Sequence, residues 1–167
     1  IKQLAEKSPM LRQHTKAYKA KIVHSRTGSY FQPVANVGDA QHGADLHSAI
    51  VDELHLHKDN ELIEAIETGT GSRRQPLVVF ITTADNSRKE TPYDRKHTMI
   101  EQLARRVLKN SSIYGVIWGA EETDDPFSEE TQRKANPGFG VSPTRAFLKR
   151  AALKAMQSPA DLASYLR

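Results

Sequence analysis

The sequence contains no cysteine, which excludes disulfide scaffolds, thiol nucleophiles and cysteine-ligated zinc or iron–sulfur centres together. It has no run near the roughly 20 consecutive apolar residues that a membrane-spanning helix needs, and no basic-then-apolar leader ahead of a small-residue cleavage site. A soluble intracellular protein that is not secreted and has no membrane partner is the expectation. Aromatic residues are scarce, yet hydrophobic residues at 38% of 167 still supply one ordinary core. One domain, or one domain plus the edge of another, is expected. An initiator Met is missing as well: the chain opens on Ile1 and closes on Tyr165-Leu166-Arg167 inside a helix-like apolar pattern, as a piece of a longer protein would. What stays open is chemistry by carboxylate, His, Ser/Thr, Lys or Arg.

The net charge of +4 is mild, but its distribution is uneven. Lys2, Lys7, Arg12, Lys16, Lys19, Lys21 and Arg26 stand against a single acid, Glu6, in residues 1–33, whereas Glu121, Glu122, Asp124, Asp125, Glu129 and Glu130 make an acidic stretch. With Tyr18, Tyr30 and Phe31 interleaved, the basic start suits contact with a phosphate backbone. It suits a solvated helix and hairpin equally.

Ser8-Pro9 predicts the start of a short helix. Lys21-Ile22-Val23-His24, a turn through Gly28, and Ser29-Tyr30-Phe31-Gln32 predict a β-hairpin; residues 35–47 read as loop. Ser48-Ala49-Ile50-Val51 has the profile of a buried parallel strand that delivers Asp52 and Glu53 at its C-terminal end. Asp59 or Asn60 should cap a helix carrying Leu62, Ile63 and Ile66, with Gly69 as its stop. Leu77–Ile81 is a second apolar run ending in Thr82-Thr83, residues 95–109 have helical spacing, and Ile113–Trp118 is a third apolar run. Three strands and two helices in alternation predict an α/β fold with a parallel sheet and right-handed crossovers, whose ligands sit off the C-terminal strand ends. Beyond it come the acidic stretch with Pro126, a short helix seeded at Ser128, and a loop through Asn136–Gly140. Helices are then expected to open at Ser142-Pro143 and Ser158-Pro159, the first with Phe147, Leu148, Ala151, Ala152, Ala155 and Met156 on one face.

The sharpest chemical signal is Val51-Asp52-Glu53-Leu54-His55. In phosphate-cleaving NTPases a strand ends in two acids in this order, the first holding Mg²⁺ through water and the second orienting the attacking water, the Walker B arrangement. A strand that simply ends in solvated acids gives the same letters. Thr82 and Thr83, one strand-helix-strand unit later, place hydroxyls on the same edge, where they can bond the acids or their water and report nucleotide state; an ordinary strand-to-loop transition reads likewise. The stretch Thr68–Arg74 is glycine-rich but is no phosphate-binding loop, because GxxxxGK[ST] occurs nowhere in the chain. Arg73 and Arg74 are candidates for an arginine finger or a phosphate or DNA contact. His42, His47, His55 and His57 with Asp39, Asp52 and Asp59 can be drawn as a metal site, although surface or hydrogen-bonded histidines fit their spacing better. His55 lies close enough to Glu53 to act as a relay.

The succession from His42 to Ala84, and later Thr131–Pro143, resembles the large terminase subunit of tailed bacteriophages, the ATPase motor that packages DNA into procapsids. Its most specific parts are Val51–His55, the Thr70–Leu77 lead-in to Ile81-Thr82-Thr83-Ala84, and Lys134-Ala135-Asn136-Pro137. The resemblance implies a partial P-loop NTPase-like (ASCE) sheet with flanking helices, preceded by the β-hairpin and followed by a helical linker region. It implies ATP and Mg²⁺ as cofactors, Asp52 as the magnesium-associated acid, Glu53 as the catalytic glutamate, and Thr82-Thr83-Ala84 as the coupling motif. Residues 1–120 would be the C-terminal half of the ATPase domain, 121–141 an acidic linker, and 142–167 helices leading to a nuclease domain with an RNase H-like fold. Partners would be double-stranded DNA, the small terminase subunit, the portal protein and further copies in a ring, in the host cytoplasm. The family's P-loop should precede Ile1 and its nuclease acids should follow Arg167, so the isolated 167 residues should show no ATPase activity. Asp52-Glu53-Leu54-His55 also spells the DExH box of a helicase, and a nucleotide-free DNA-binding or scaffold module is a further alternative.

Overall fold

The computed structural model of the protein describes residues 1–34, 43–85 and 88–166. The chain falls into two units, Ile1–Val37 and Gly38–Arg167.

In the first unit, helix α1 (Lys2–Lys7) stops at Ser8, whose extended backbone breaks the helix and whose side chain accepts the Leu11 N–H to start α2 (Pro9–His14). Pro9 fills the first position, where no N–H is needed. The sequence pattern pointed to α2 alone. Three short strands follow, β1 (Thr15–Ala17), β2 (Ile22–His24) and β3 (Tyr30–Phe31), paired antiparallel in that order. The expected hairpin is β2 with β3, closed through Gly28 in the left-handed region at φ +72°; β1 adds a strand that the sequence did not announce. Register aligns Lys16 with Val23 and Val23 with Tyr30. Because side chains alternate along a strand, Lys16, Tyr18, Lys21, Val23 and Tyr30 share one face. There the Lys16 ammonium lies 5.6 Å from the Tyr18 ring centre and Lys21 lies 5.4 Å from that of Tyr30.

In the second unit, β4 (Ser48–Val51) and β5 (Leu77–Phe80) pair in parallel, Ser48 opposite Leu77 and Val51 opposite Phe80. A single 3₁₀ turn (Leu54–Leu56) and α3 (Glu61–Gly69) form the crossover. Asn60 occupies the cap position of α3 while the Asp59 carboxylate accepts the Glu61 N–H at 3.2 Å, so the two expected capping residues divide the role. One face of α3 buries Leu62, Ile63 and Ile66 against Val51 and Leu54, with Ala49, Val78, Phe80 and Tyr93 around them. Each such side chain contributes roughly 1.5–3 kcal/mol when fully removed from water. This small core lies directly beneath the ends of β4 and β5.

Helix α4 (Pro92–Ala104) starts earlier and ends earlier than its apolar spacing suggested. Thr91 accepts the Asp94 N–H at 3.2 Å and sets the start; at the other end Arg106 turns out of the helix at φ 58°. The expected third strand does not form. Among the described residues Ile113–Trp118 joins no ladder, and this sheet has two strands, not three. An apolar run becomes a strand only where a neighbour offers backbone partners, and among the described residues this run pairs with none. Gly115 instead packs so tightly on Ile100 of α4 that a Cβ would collide with that side chain, while Tyr114 is 90% exposed.

The acidic stretch is held by its own carboxylates. Asp124 accepts the Glu121 N–H at 2.9 Å and Asp125 the Phe127 N–H at 3.0 Å, after which Ser128 caps α5 (Glu129–Ala135) through the Thr131 N–H. Helix α6 (Arg145–Ala155) begins after Thr144, whose hydroxyl accepts the Phe147 N–H, so the start expected at Ser142-Pro143 is corrected to Thr144. Its buried residues are Leu148, Ala152 and Ala155; Phe147 and Met156 point to solvent, so the apolar face is narrower than the pattern suggested. Helix α7 (Pro159–Tyr165) starts at Ser158 as expected. The Tyr165 hydroxyl donates to the Pro126 carbonyl and accepts from the Gln132 amide, both at 3.0 Å, and its ring stacks on Phe127. Among the described residues no helix is long and apolar enough to cross a membrane.

Candidate active site

Parallel pairing of β4 with β5 brings two chain exits to one edge. Asp52 and Glu53 leave β4 there, and Thr82 and Thr83 follow β5. Pairing continues past both strands, since Ile81 donates to the Val51 carbonyl at 2.9 Å and Leu54 to that of Ile81 at 3.3 Å. Asp52 and Glu53 are exposed, and the Asp52 carboxylate accepts the Glu53 N–H at 3.0 Å. Glu53 itself adopts φ 54°, ψ 45°, a left-handed conformation uncommon for a residue with a Cβ. That bend swings Leu54, 1% exposed, down into the core and leaves the Glu53 carboxylate outside.

His55 joins the two exits. Its N–H donates to the Thr82 hydroxyl at 3.1 Å, and its ring Nδ1 lies 3.1 Å from the same oxygen, 3.5 Å from the Thr83 hydroxyl and 3.4 Å from the Glu53 carboxylate. The Thr82 hydroxyl gives its only proton to the Thr83 carbonyl at 2.9 Å, and an ionised carboxylate can only accept. A proton on Nδ1 would serve both oxygens.

Arg73 and Arg74 precede β5 and so belong to the opposite, N-terminal edge of the sheet. Arg73 is engaged by Asp45 at 2.7 Å, which also accepts from the Ser72 hydroxyl; Arg74 is exposed. The structure does not bring either to the Asp52-Glu53 pair of the same chain. Ala84 is exposed just beyond Thr83. His47 lies before β4, at the far end of the strand from Asp52, and His57 is buried behind the 3₁₀ turn. Among the described residues no group of three or more His, Asp or Glu is placed to hold a metal; His42 and Asp39 fall outside the described residues.

Sequence reasoning missed Asp85, Arg88 and Tyr93. The Arg88 guanidinium donates from Nε to both Asp85 oxygens at 3.1 Å, and its Nη2 donates to the His55 carbonyl. The Asp85 side chain is only 3% exposed. Burial pushes the Tyr93 hydroxyl up from its ordinary pKa, partly offset by its hydrogen bond with the Asp85 backbone. A loop arginine far along the chain from its target carries no periodicity, so no sequence signal could have found it.

The family model described as "Terminase large subunit, ATPase domain" matches residues 1–101. The chain belongs to this family. Among curated proteins, Protein YmfN of Escherichia coli (strain K12) is 41% identical over 106 residues, 64% of this chain and 23% of that protein. Among solved structures, the large terminase of bacteriophage HK97 superposes with a TM-score of 0.81 over 98% of this chain and 34% of that one, at 19% identity. The chain thus spans about a quarter of the first of these proteins and about a third of the second. That superposition establishes the α/β fold, and the family match decides for a terminase over a DExH helicase.

Two exposed carboxylates at a strand end fit the needs of Mg²⁺, a hard cation that keeps several waters and takes one or two carboxylates together with substrate phosphates. They would not form a closed protein cage. In this terminase segment Asp52 and Glu53 are the residues that could hold it.

Proposed function

We propose that this segment is the acidic, hydrolytic half of a DNA-packaging ATPase, with the phosphate-binding loop supplied by sequence outside these 167 residues. The observation that carries the reading is the edge where Asp52 and Glu53 leave one parallel strand and His55 ties Glu53 to Thr82 and Thr83 after the next. Bound Mg²⁺ would neutralise phosphate charge there. Asp52 is the acid that positions the ion through water. Glu53, half-exposed beside His55 and aimed by its bent backbone, orients and polarises the water that attacks the γ-phosphorus of ATP. Thr82-Thr83-Ala84 acts as the coupling motif and His55 as the relay, since a change at the Glu53 carboxylate alters what Nδ1 can donate to and hence the Thr82 contact. Arg73 or Arg74, on the opposite edge of the sheet from Asp52 and Glu53 of their own chain, suit a role toward a neighbouring subunit in a homo-oligomeric ring.

Residues 1–120 then form the second half of the motor, 121–141 its exit, and 142–167 the approach to a nuclease domain. Double-stranded DNA is the proposed cargo, with the small terminase subunit and the portal protein as partners in the host cytoplasm. The Lys16, Tyr18, Lys21 and Tyr30 face is the surface whose chemistry best suits a phosphate backbone. The test is Glu53→Gln in the intact subunit, expected to leave ATP binding near normal and stop hydrolysis. Retained turnover rules the reading out, and absence of ATP binding by the unmodified subunit favours a nucleotide-free module. The isolated 167 residues are expected to show no turnover.

A further inference from the structure

We propose that Arg88 is a positioning residue for the Glu53–His55 turn, acting through a guanidinium bridge between the Asp85 carboxylate and the His55 carbonyl. This rests on Glu53 being the catalytic acid. The bridge is anchored, because Asp85 is almost wholly withdrawn from water and its charge is met by two Arg88 nitrogens at 3.0–3.1 Å. A carboxylate in that setting strongly disfavours losing its cation. With Asp85 fixing the fork, the remaining Nη2 hydrogen is directed at the His55 carbonyl. His55 is then gripped at three points: its N–H by Thr82, its carbonyl by Arg88, and its ring between Glu53 and Thr82. The residue bearing the carboxylate sits two positions before that carbonyl, in a backbone conformation that relaxes if the turn is released.

Arg88 also faces the other way. Its own carbonyl accepts from the Thr91 hydroxyl at 3.4 Å, and Thr91 caps α4. Residue 88 therefore joins the acid-bearing turn and the segment after the coupling threonines through its side chain, and the start of a helix through its main chain. A lysine can supply charge at this place but cannot reproduce the planar fork, which distinguishes positioning from simple charge balance.

Two measurements test the proposal. In the 167-residue chain, Arg88→Ala is expected to lower hydrogen-exchange protection of the His55 amide about tenfold or more and to shift the His55 Nδ1 resonance, leaving α6 amides unchanged. In the intact subunit the same change is expected to reduce kcat about tenfold with the KM for ATP within about twofold, and Arg88→Lys to restore less than half of the loss. Arg95→Ala, which removes a cation paired with Glu90 and no contact to His55, is the control and should leave both readouts unchanged. If Arg88→Ala does not fold, the double variant Asp85→Asn/Arg88→Gln removes the buried carboxylate and its cation together and should give the same His55 signature. Unchanged His55 exchange, or a full rescue by lysine, overturns the proposal. Because the exchange measurement needs no turnover, its failure is distinct from retained turnover in Glu53→Gln.

Discussion

Replacing Leu54 by alanine removes the side chain on which the acidic edge rests. Leu54 is 1% exposed and packs among Val51, Leu62, Ile63 and Ile66, while Leu56, two residues along the same 3₁₀ turn, is 61% exposed. Three buried carbon groups at about 0.8 kcal/mol each give roughly 2.4 kcal/mol from transfer alone. The cavity left in so small a core, with α3 fixed on its far side, raises the expected loss to about 3–4 kcal/mol. Leu56→Ala should cost no more than about 0.5 kcal/mol. Urea unfolding followed by far-UV circular dichroism, together with the fluorescence of Trp118, the single tryptophan, measures both variants. With a slope near 2 kcal/mol per molar, the midpoint of Leu54→Ala should fall by about 1.5–2 M and that of Leu56→Ala by less than about 0.3 M. A Leu54→Ala loss below about 1 kcal/mol, or equal losses for the two leucines, would refute the assignment of the core.

Tyr165→Phe removes both hydrogen bonds of the hydroxyl and leaves the Pro126 carbonyl without its donor; a loss of about 1–2 kcal/mol in thermal or urea unfolding is expected, and no loss would show that the α7 contact is incidental. Lys134, with help from the Glu121 N–H, holds the Asp124 carboxyl below its ordinary pKa of 3.8. A depressed native pKa contributes stability that is present above the ordinary value and is lost as the pH falls through the lowered one. Asp124→Asn should therefore flatten the acid limb of the stability profile below about pH 4, and an unchanged limb argues against the pairing. Double-stranded DNA binding by the intact subunit should lose about 1.8 from its log-log salt slope in Lys16→Ala/Lys21→Ala, roughly 0.9 for each phosphate contact; an unaltered slope places the duplex elsewhere.

Local chemistry made much of the fold legible. Ser8, Ser128 and Ser158 each announce a helix and each accepts the expected backbone N–H, because capping depends only on residues within one turn. The pairing of Val51-Asp52-Glu53 with Phe80–Thr83 was legible for a related reason: two apolar runs around an amphipathic helix have few ways to bury both. Ile113–Trp118 shows where such reasoning stops. Its composition suits a strand, but strand formation is a property of a pair, and the partner is not written in the run itself. At the site, the carboxylates and threonines stood out by type and spacing, and proximity alone marked His55. The reach of Arg88 to the His55 carbonyl was illegible, since it depends on where a loop returns after a helix and a strand. Thr144 took the capping role from Ser142 because both residues are competent and only the path of the preceding turn decides between them.

Glu53 carries a further consequence in its backbone. A side chain held at φ 54° costs about 1–2 kcal/mol that glycine would not incur. Glu53→Gly should accordingly make the chain harder to unfold while depriving it of its proposed base, a protein that is sturdier and inert at once. The preference of the polypeptide and the demand of the reaction point in opposite directions at this one position. Any search for heat-resistant variants by folding alone would be drawn to residue 53 and would discard the residue proposed to do the work.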